Sequence, residues 1–443
     1  MMATTTLNRK STKKSNVENE VVKELKKGAE ELDIVSIDVQ GLVSMINEHN
    51  IRMYDQEEYT MIHVIENIIE TRASLNSFFL IDIGPIFRRY KLWMQHMPRI
   101  KIFYAVKCNP DKLLLNTLVD LGVGFDVASK TEISIVRELD VDPDKIIFAN
   151  PVKEIASITF AESQGISKMT FDSEDELKKI SIYHPYAKLV LRILVDDSKS
   201  KLPFGSKFGC PKDNLSGVFN LAKILNLNII GISFHVGSCC GNAASYADAI
   251  VLAREVFDIG KTHGFEMNFL DIGGGFPGCN DEESDKKFIE IAQSITNELT
   301  KSFADMNNSL EVIAEPGRFF ATSCGTLVTN VICRKIIEKN IEEKIIHYYI
   351  NSSLYGLFNN IIFDKAIPVL ELLKPIHKEQ SIYKSVIFGQ TCDSMDKIVD
   401  DIFLPELVCG NWIIIRNHGA YTNASASNFN GFTMPDIVYV FTF

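Results

Sequence analysis

Lys107 closes a β-branched and aromatic run, KIFYAVKCNP over residues 101–110, and is out of place there. A lysine amine is almost never buried without a partner, so Lys107 is either a solvated strand end or joined to something. A lysine freed of its charge can form a Schiff base with an aldehyde cofactor. The groups that follow separate the two readings. Successive apolar runs end at Asp126, at Asn150, at Asp172, and at Arg192 with Asp196 and Asp197 just beyond it. His235 with Gly237 and Ser238 comes next, then Gly273 to Gly275, then Glu315 and Arg318. One such residue could be chance, but a ring of them is what a catalytic barrel carries at the carboxyl ends of its strands. The last two ends look suited to phosphate. DIGGGFPG brings glycines together, letting backbone N–H groups approach phosphate oxygens with no Cβ between, and Arg318 adds a permanently charged planar donor. The same string fits G-x-G-x-x-G, but Pro277 interrupts it and no helix-forming run starts at once, which argues against a dinucleotide site.

The elements that would hold these groups are eight short β-rich runs: KIFYAV, GFDVA, KIIFAN, KMTFDS, KLVLRIL, IIGISFHVG, FLDIGGG and LEVIAEPG. Stretches long enough for a helix separate them, and eight strand-plus-helix units over about 101–321 predict an α/β fold of the (β/α)8 type. Their nearly all-apolar character suits a parallel sheet buried on both faces. Further strand-like runs, TLVTNVICRKII, KIIHYYIN, YKSVIFGQ, NWIIIRN and IVYVFTF, predict a second, mainly β domain towards the C-terminus. Before the barrel, the spacing predicts helices over 17–32 and 59–73, a short strand and short helix over 36–50, and a buried strand at SFFLIDIG.

A net charge of −11, from 46 basic and 57 acidic residues, argues against a nucleic-acid surface and suits a cationic small-molecule substrate. Nine cysteines form no CxxC pair and no metal-like Cys/His spacing, which implies a reducing, cytoplasmic setting and no metal site. No apolar run reaches the roughly 20 residues that span a bilayer, so no membrane partner is expected. The basic, Ser/Thr-rich opening reads as a solvated tail, with an organelle transit peptide as the other reading.

FYAVKCNP, GFDVASKTEI, SFHVGS, LDIGGGFPG, AEPGRFF, FGQTCDSMD and HGAYTNASASNFNGF together resemble the eukaryotic ornithine decarboxylases, of the barrel-fold, alanine-racemase-like pyridoxal-phosphate decarboxylases. The similarity runs in consistent order from about residue 70 to 440. It implies an extension at 1–35, the first part of the β domain at 36–82, a cofactor-binding barrel at 83–321 and the rest of the β domain at 322–443. It implies pyridoxal 5'-phosphate linked to Lys107, with Glu315 at the ring nitrogen and His235 against the ring face. Asp126 and Arg192 would lie near the cofactor and its lysine, as would Glu132. Ser238, Gly274, Gly275, Pro316, Gly317, Arg318 and Tyr421 would form the remaining cofactor contacts. Cys392 would donate the proton that quenches the carbanion, and Phe363, Asp364 and Asp393 would hold the substrate's far amine. Asp364, Cys392 and Asp393 are expected to arrive from a partner subunit of a homodimer, and antizyme is an implied further partner. The implied reaction is decarboxylation of L-ornithine to putrescine, the first step of polyamine biosynthesis. The alternatives are a lysine or arginine decarboxylase and a non-catalytic regulator resembling the antizyme inhibitors. The chain departs from the family pattern at Ser352 and Ser353, at Phe319, Phe320 and Phe363 in place of tyrosines, and at Cys239 in place of a glycine.

Overall fold

The computed structural model describes residues 51–340, 343–375 and 380–442. The helix expected over 17–32 and the elements expected over 36–50 lie outside them. Eight parallel strands close into a barrel: Ile100–Ala105, Gly124–Val127, Ile146–Phe148, Lys168–Phe171, Lys188–Arg192, Asn228–Ser233, Phe269–Asp271 and Glu311–Ala314. These are the eight expected runs. Alternation along each strand sorts its side chains. Ile102, Tyr104, Phe125, Ile146, Phe148, Leu189, Leu191, Leu270 and Val312 face outward into the core shared with the helices. Phe103, Ile147, Val190, Phe269 and Ile313 meet inside the barrel and plug it. The period of two then turns Asp126, Arg192, Asp271 and Glu315 inward above that plug. The plug makes the barrel interior a floor and its carboxyl end a cup.

The second domain is a nine-stranded sheet that the chain enters from both sides of the barrel. Phe78–Asp82, completed before the barrel begins, pairs with Asp436–Thr442 at the end of the chain and with the first residues of Gly325–Asn340. That long strand continues against Trp412–Ile415 and then Glu343–Ile350, which leads out to Ile382–Phe388 and Lys397–Pro405. Met61–Thr71, the helix expected over 59–73, is capped by Thr60 and packs Val64, Ile65 and Ile68 under the sheet. Lys397–Pro405 was not anticipated from sequence. Asp400 and Asp401 interrupt its apolar pattern, and both are exposed on an edge strand, where charge is tolerated.

His418 sits where the two domains join. It is 4% exposed, its Nε2 lies 2.9 Å from the Leu357 carbonyl, and its backbone N–H donates to Gly325 O at 2.8 Å. Burial holds its pKa down at about 4, against about 6.5 for an unfolded histidine. Between those values the unfolded chain takes up a proton that the folded chain refuses, so stability is full above pH 6.5 and falls as pH drops towards 4. The expected loss is about 3 kcal/mol. Urea unfolding at pH 7.5 and pH 4.5 should show this decrement in the wild type and a smaller one in His418→Gln. Equal decrements would place the acid sensitivity elsewhere.

Candidate active site

A cavity of about 400 Å³ opens at the carboxyl ends of the barrel strands. Lys107 lies on its wall, two residues past the first strand's end, in the turn Val106–Cys108 rather than on the strand itself. Its amine is ion-paired with Asp126, which is fully buried at the second strand's end. Burial works against the lysine's charge, but the Asp126 carboxylate, with Glu315 behind it, outweighs burial and raises the pKa. Glu132 takes the Ala128 N–H at 2.6 Å and, buried beside Asp126, is pushed up, mainly by burial.

Across the floor, Arg192 ends the fifth strand with its guanidinium 4.9 Å from the centre of the Phe208 ring. Glu315 follows the eighth strand. Burial first, then the charges of Asp126 and Asp271, raises its pKa well above the ordinary carboxyl range. Its Oε1 is buried without a hydrogen-bond partner. His235 follows the sixth strand. Gly237 N–H donates to its Nδ1 at 3.0 Å, and burial, with the charges of Arg192 and Lys107, drives its pKa well below 6.5. The ring is therefore neutral with its proton on Nε2. Phe204 packs edge-on against it with centroids 5.0 Å apart.

The wall beside strands seven and eight is built for an anion. Arg318 Nη2 donates to Ser238 Oγ at 3.1 Å and to Asp364 Oδ1 at 2.7 Å, its guanidinium lies 5.0 Å from the Tyr421 ring centre, and its Nε is buried without a partner. Tyr421 takes φ +55°, a strained value for a tyrosine, and its N–H is tied to Cys108 O at 2.8 Å. Gly275 takes φ +100°, and a Cβ there would stand 2.7 Å from Gly237 O and 2.8 Å from Tyr246 Oη. Gly275→Ala is therefore expected to weaken binding of a phosphate-bearing cofactor by about tenfold or more. Gly241→Ala, where a Cβ meets nothing within 4 Å, should leave binding unchanged. Fluorescence titration with the cofactor reads both.

Of the expected residues, Lys107, Arg192, His235, Ser238, Gly275, Glu315, Gly317, Arg318, Phe363, Asp364 and Tyr421 line this one cavity. Gly274 and Pro316 act from behind the wall: Gly274 O accepts the Tyr246 hydroxyl at 3.0 Å, and Pro316 O receives the Ala105 N–H at 3.4 Å. Two groups depart from expectation. Asp364 was expected from a partner subunit but is seated in its own chain's cavity, 6% exposed, because the turn Asn360–Phe363 folds back over Arg318. Asp172 and Asp197 are loop anchors and not cavity groups. Asp172 takes Gly209 N–H at 2.9 Å and Asp197 takes Gly205 N–H at 2.7 Å, while Asp196 is exposed. Cys392 and Asp393 lie outside the cavity. Cys392 is exposed with its N–H on Asn430 Oδ1 at 2.9 Å, and Asp393 accepts the Tyr355 hydroxyl. The Ser352–Ser353 departure is accommodated by Ser353 Oγ, which accepts Gly356 N–H at 2.9 Å. Sequence reasoning missed Leu202, Phe204 and Phe208, which form the cavity's apolar side. The signal was KLPFGSKFG, two phenylalanines set among the glycines of a loop.

A plugged parallel barrel with a lysine–carboxylate pair, a buried carboxyl with one oxygen unpartnered and an anion cradle around one cup fits an aldehyde-cofactor enzyme. The chain belongs to the pyridoxal-dependent decarboxylase family, whose pyridoxal binding domain matches residues 83–322. It is 43% identical to rat (Rattus norvegicus) ornithine decarboxylase over 84% of this chain and 82% of that protein, and 43% identical to Xenopus laevis antizyme inhibitor 2 over 85% and 83%. Among solved structures, the arginine decarboxylase of Paramecium bursaria Chlorella virus superposes with a TM-score of 0.81 at 37% identity, covering 86% of this chain and 100% of that one. The cofactor is pyridoxal phosphate. The residues present fit it, since Glu315 Oε1 and Arg318 Nε are buried polar atoms without partners at the two ends of the cup, suited to a ring nitrogen and a phosphate. No helix among the described residues is long and apolar enough to cross a membrane.

Proposed function

We propose that the protein decarboxylates L-ornithine to putrescine, in the cytoplasm and as a homodimer, and so opens polyamine biosynthesis. When bound, pyridoxal phosphate supplies the electron sink for the pair left as CO2 departs. The protein's own groups do the rest. Lys107 anchors the cofactor, and Asp126 holds the lysine's proton. Glu315 would face the ring nitrogen, where a proton on that nitrogen offsets the burial that otherwise favours a neutral carboxyl, and Arg192 limits how far the buried carboxylates repel one another. His235, neutral, offers a flat face and an Nε2–H without adding a cation. Ser238, Gly275, Arg318 and Tyr421 take the phosphate. A phosphate drawing on Arg318 loosens its hold on Asp364, leaving that carboxylate to receive a distal ammonium. Cys392 and Asp393 complete the site from a second subunit, as proton donor and second carboxylate.

The observation that carries ornithine is Asp364: a short carboxylate buried in the cavity wall beside Phe363, matched to a cation on a short arm. The test is CO2 release by the pyridoxal-phosphate-loaded protein from ornithine, lysine and arginine separately. Ornithine should give the highest kcat/KM. Lysine should trail by about 10- to 200-fold, because one methylene is worth about 1–3 kcal/mol in an apolar slot, and arginine's broad fork should fit worst. A higher kcat/KM for lysine or arginine would move the substrate and leave the decarboxylase in place. Absence of release from all three would favour the regulator reading, which the 43% identity to antizyme inhibitor 2 keeps alongside. In either role, antizyme is the further partner the family likeness points to.

A further inference from the structure

The period of two that turns Glu315 inward two residues beyond Ile313 does the same for Asp271 two residues beyond Phe269 on the neighbouring strand. Asp271 is 1% exposed, and its only part in the site so far is the charge it sets beside Glu315. Its Oδ1 accepts Gly273 N–H at 2.9 Å, and the Gly273 carbonyl in turn accepts the Glu315 backbone N–H at 2.7 Å. Gly273 takes φ +64°, and a Cβ there would stand 2.3 Å from Phe234 O, so the turn that launches the glycine loop needs glycine at this position. Beneath the cup, Asp271 and Glu315 share a chamber of about 10 Å³ with Arg192, Ser233 and His235, room for at most one water. The Ser233 hydroxyl in it has no partner, and the two carboxyls lie within hydrogen-bond reach of each other.

We propose that Asp271 is a positioning residue that ties the glycine loop to Glu315, so that one buried carboxyl sets both the phosphate end and the ring-nitrogen end of the site. Through Oδ1 it fixes the Gly273–Gly275 turn. With its other oxygen it shares a proton with Glu315 and so fixes that side chain's direction. The groups facing the pair from other elements are Asp126, Lys107, Arg192 and His235. The one negative neighbour, Asp126, favours a proton on the pair, and Arg192 and Lys107 oppose it.

This rests on the pyridoxal-phosphate reading of the cup, and the test separates the two. Asp271→Asn keeps an oxygen for Gly273 N–H but presents an amide donor to Glu315, whereas Asp271→Ala loses both contacts. Cofactor affinity and the pH titration of the bound cofactor's visible band are measured on each. Asp271→Asn should bind within about threefold of wild type while the acid limb of the titration moves down by about half a unit or more, because an amide donor favours the ionised Glu315. Asp271→Ala should bind about tenfold or more weakly. If the Ala variant does not fold, the Asn variant decides alone. An unmoved titration in Asp271→Asn, or equal affinity losses in both variants, overturns the proposal. Wild-type protein that forms no visible band with pyridoxal phosphate overturns the reading of the cup instead.

Discussion

Lys107→Ala is expected to abolish the visible band of the lysine-linked cofactor and to lower kcat on the order of a thousandfold or more, since it removes the covalent anchor itself. The Asp126 pair makes this more than the loss of a nucleophile. With Lys107 gone, the fully buried Asp126 has lost the cation at its Oδ2, while its Oδ1 already lacks a partner, so a buried charge is left uncompensated beside Glu315. Part of the damage should therefore appear as lowered stability or weaker cofactor binding, separable from chemistry by equilibrium titration. Borohydride reduction and peptide mapping of the wild type give the direct check. A cofactor recovered on any other lysine sinks the assignment.

The second large effect is a recovery of activity. Lys107→Ala and Cys392→Ala subunits, each inactive alone, should regain about a quarter of wild-type activity when mixed and allowed to exchange. Half of the dimers are then mixed, and each mixed dimer holds one site with neither lesion. The structure gives this experiment its motive, because Cys392 is exposed and outside its own chain's cavity, whereas Lys107 lines it. Demonstrated exchange with no recovery would mean that each site is completed within one chain.

The barrel could be read in the sequence because its eight strands are short apolar runs buried on both faces, and the alternation that placed Phe103 and Ile313 inside also placed Arg192 and Glu315. What one-dimensional reading could not give was direction beyond the strand ends. Asp172 follows its strand directly, as Glu315 does, and Asp197 lies in the loop beyond Arg192, yet both carboxylates turn back to hold loop N–H groups. Asp364 reaches the cavity only because a short turn folds back over Arg318, a contact between segments far apart in the chain. Phe204 and Phe208 face the cup from a loop with no period to reveal them. Roles resting on strand period were visible, and roles resting on loop closure were not.

The sheet that receives the chain from both sides of the barrel also sets an order of events during synthesis. Phe78–Asp82, apolar and buried at every position, leaves the ribosome before any of the barrel, yet its two neighbours are Gly325–Asn340 and the terminal Asp436–Thr442. At about 5–20 residues per second, the strand waits on the order of tens of seconds for its first neighbour and longer for its second. Throughout that interval the nascent chain carries an unpaired apolar strand, which works as a latch: the barrel can close early, but this strand is paired on both sides only when Asp436–Thr442 arrives.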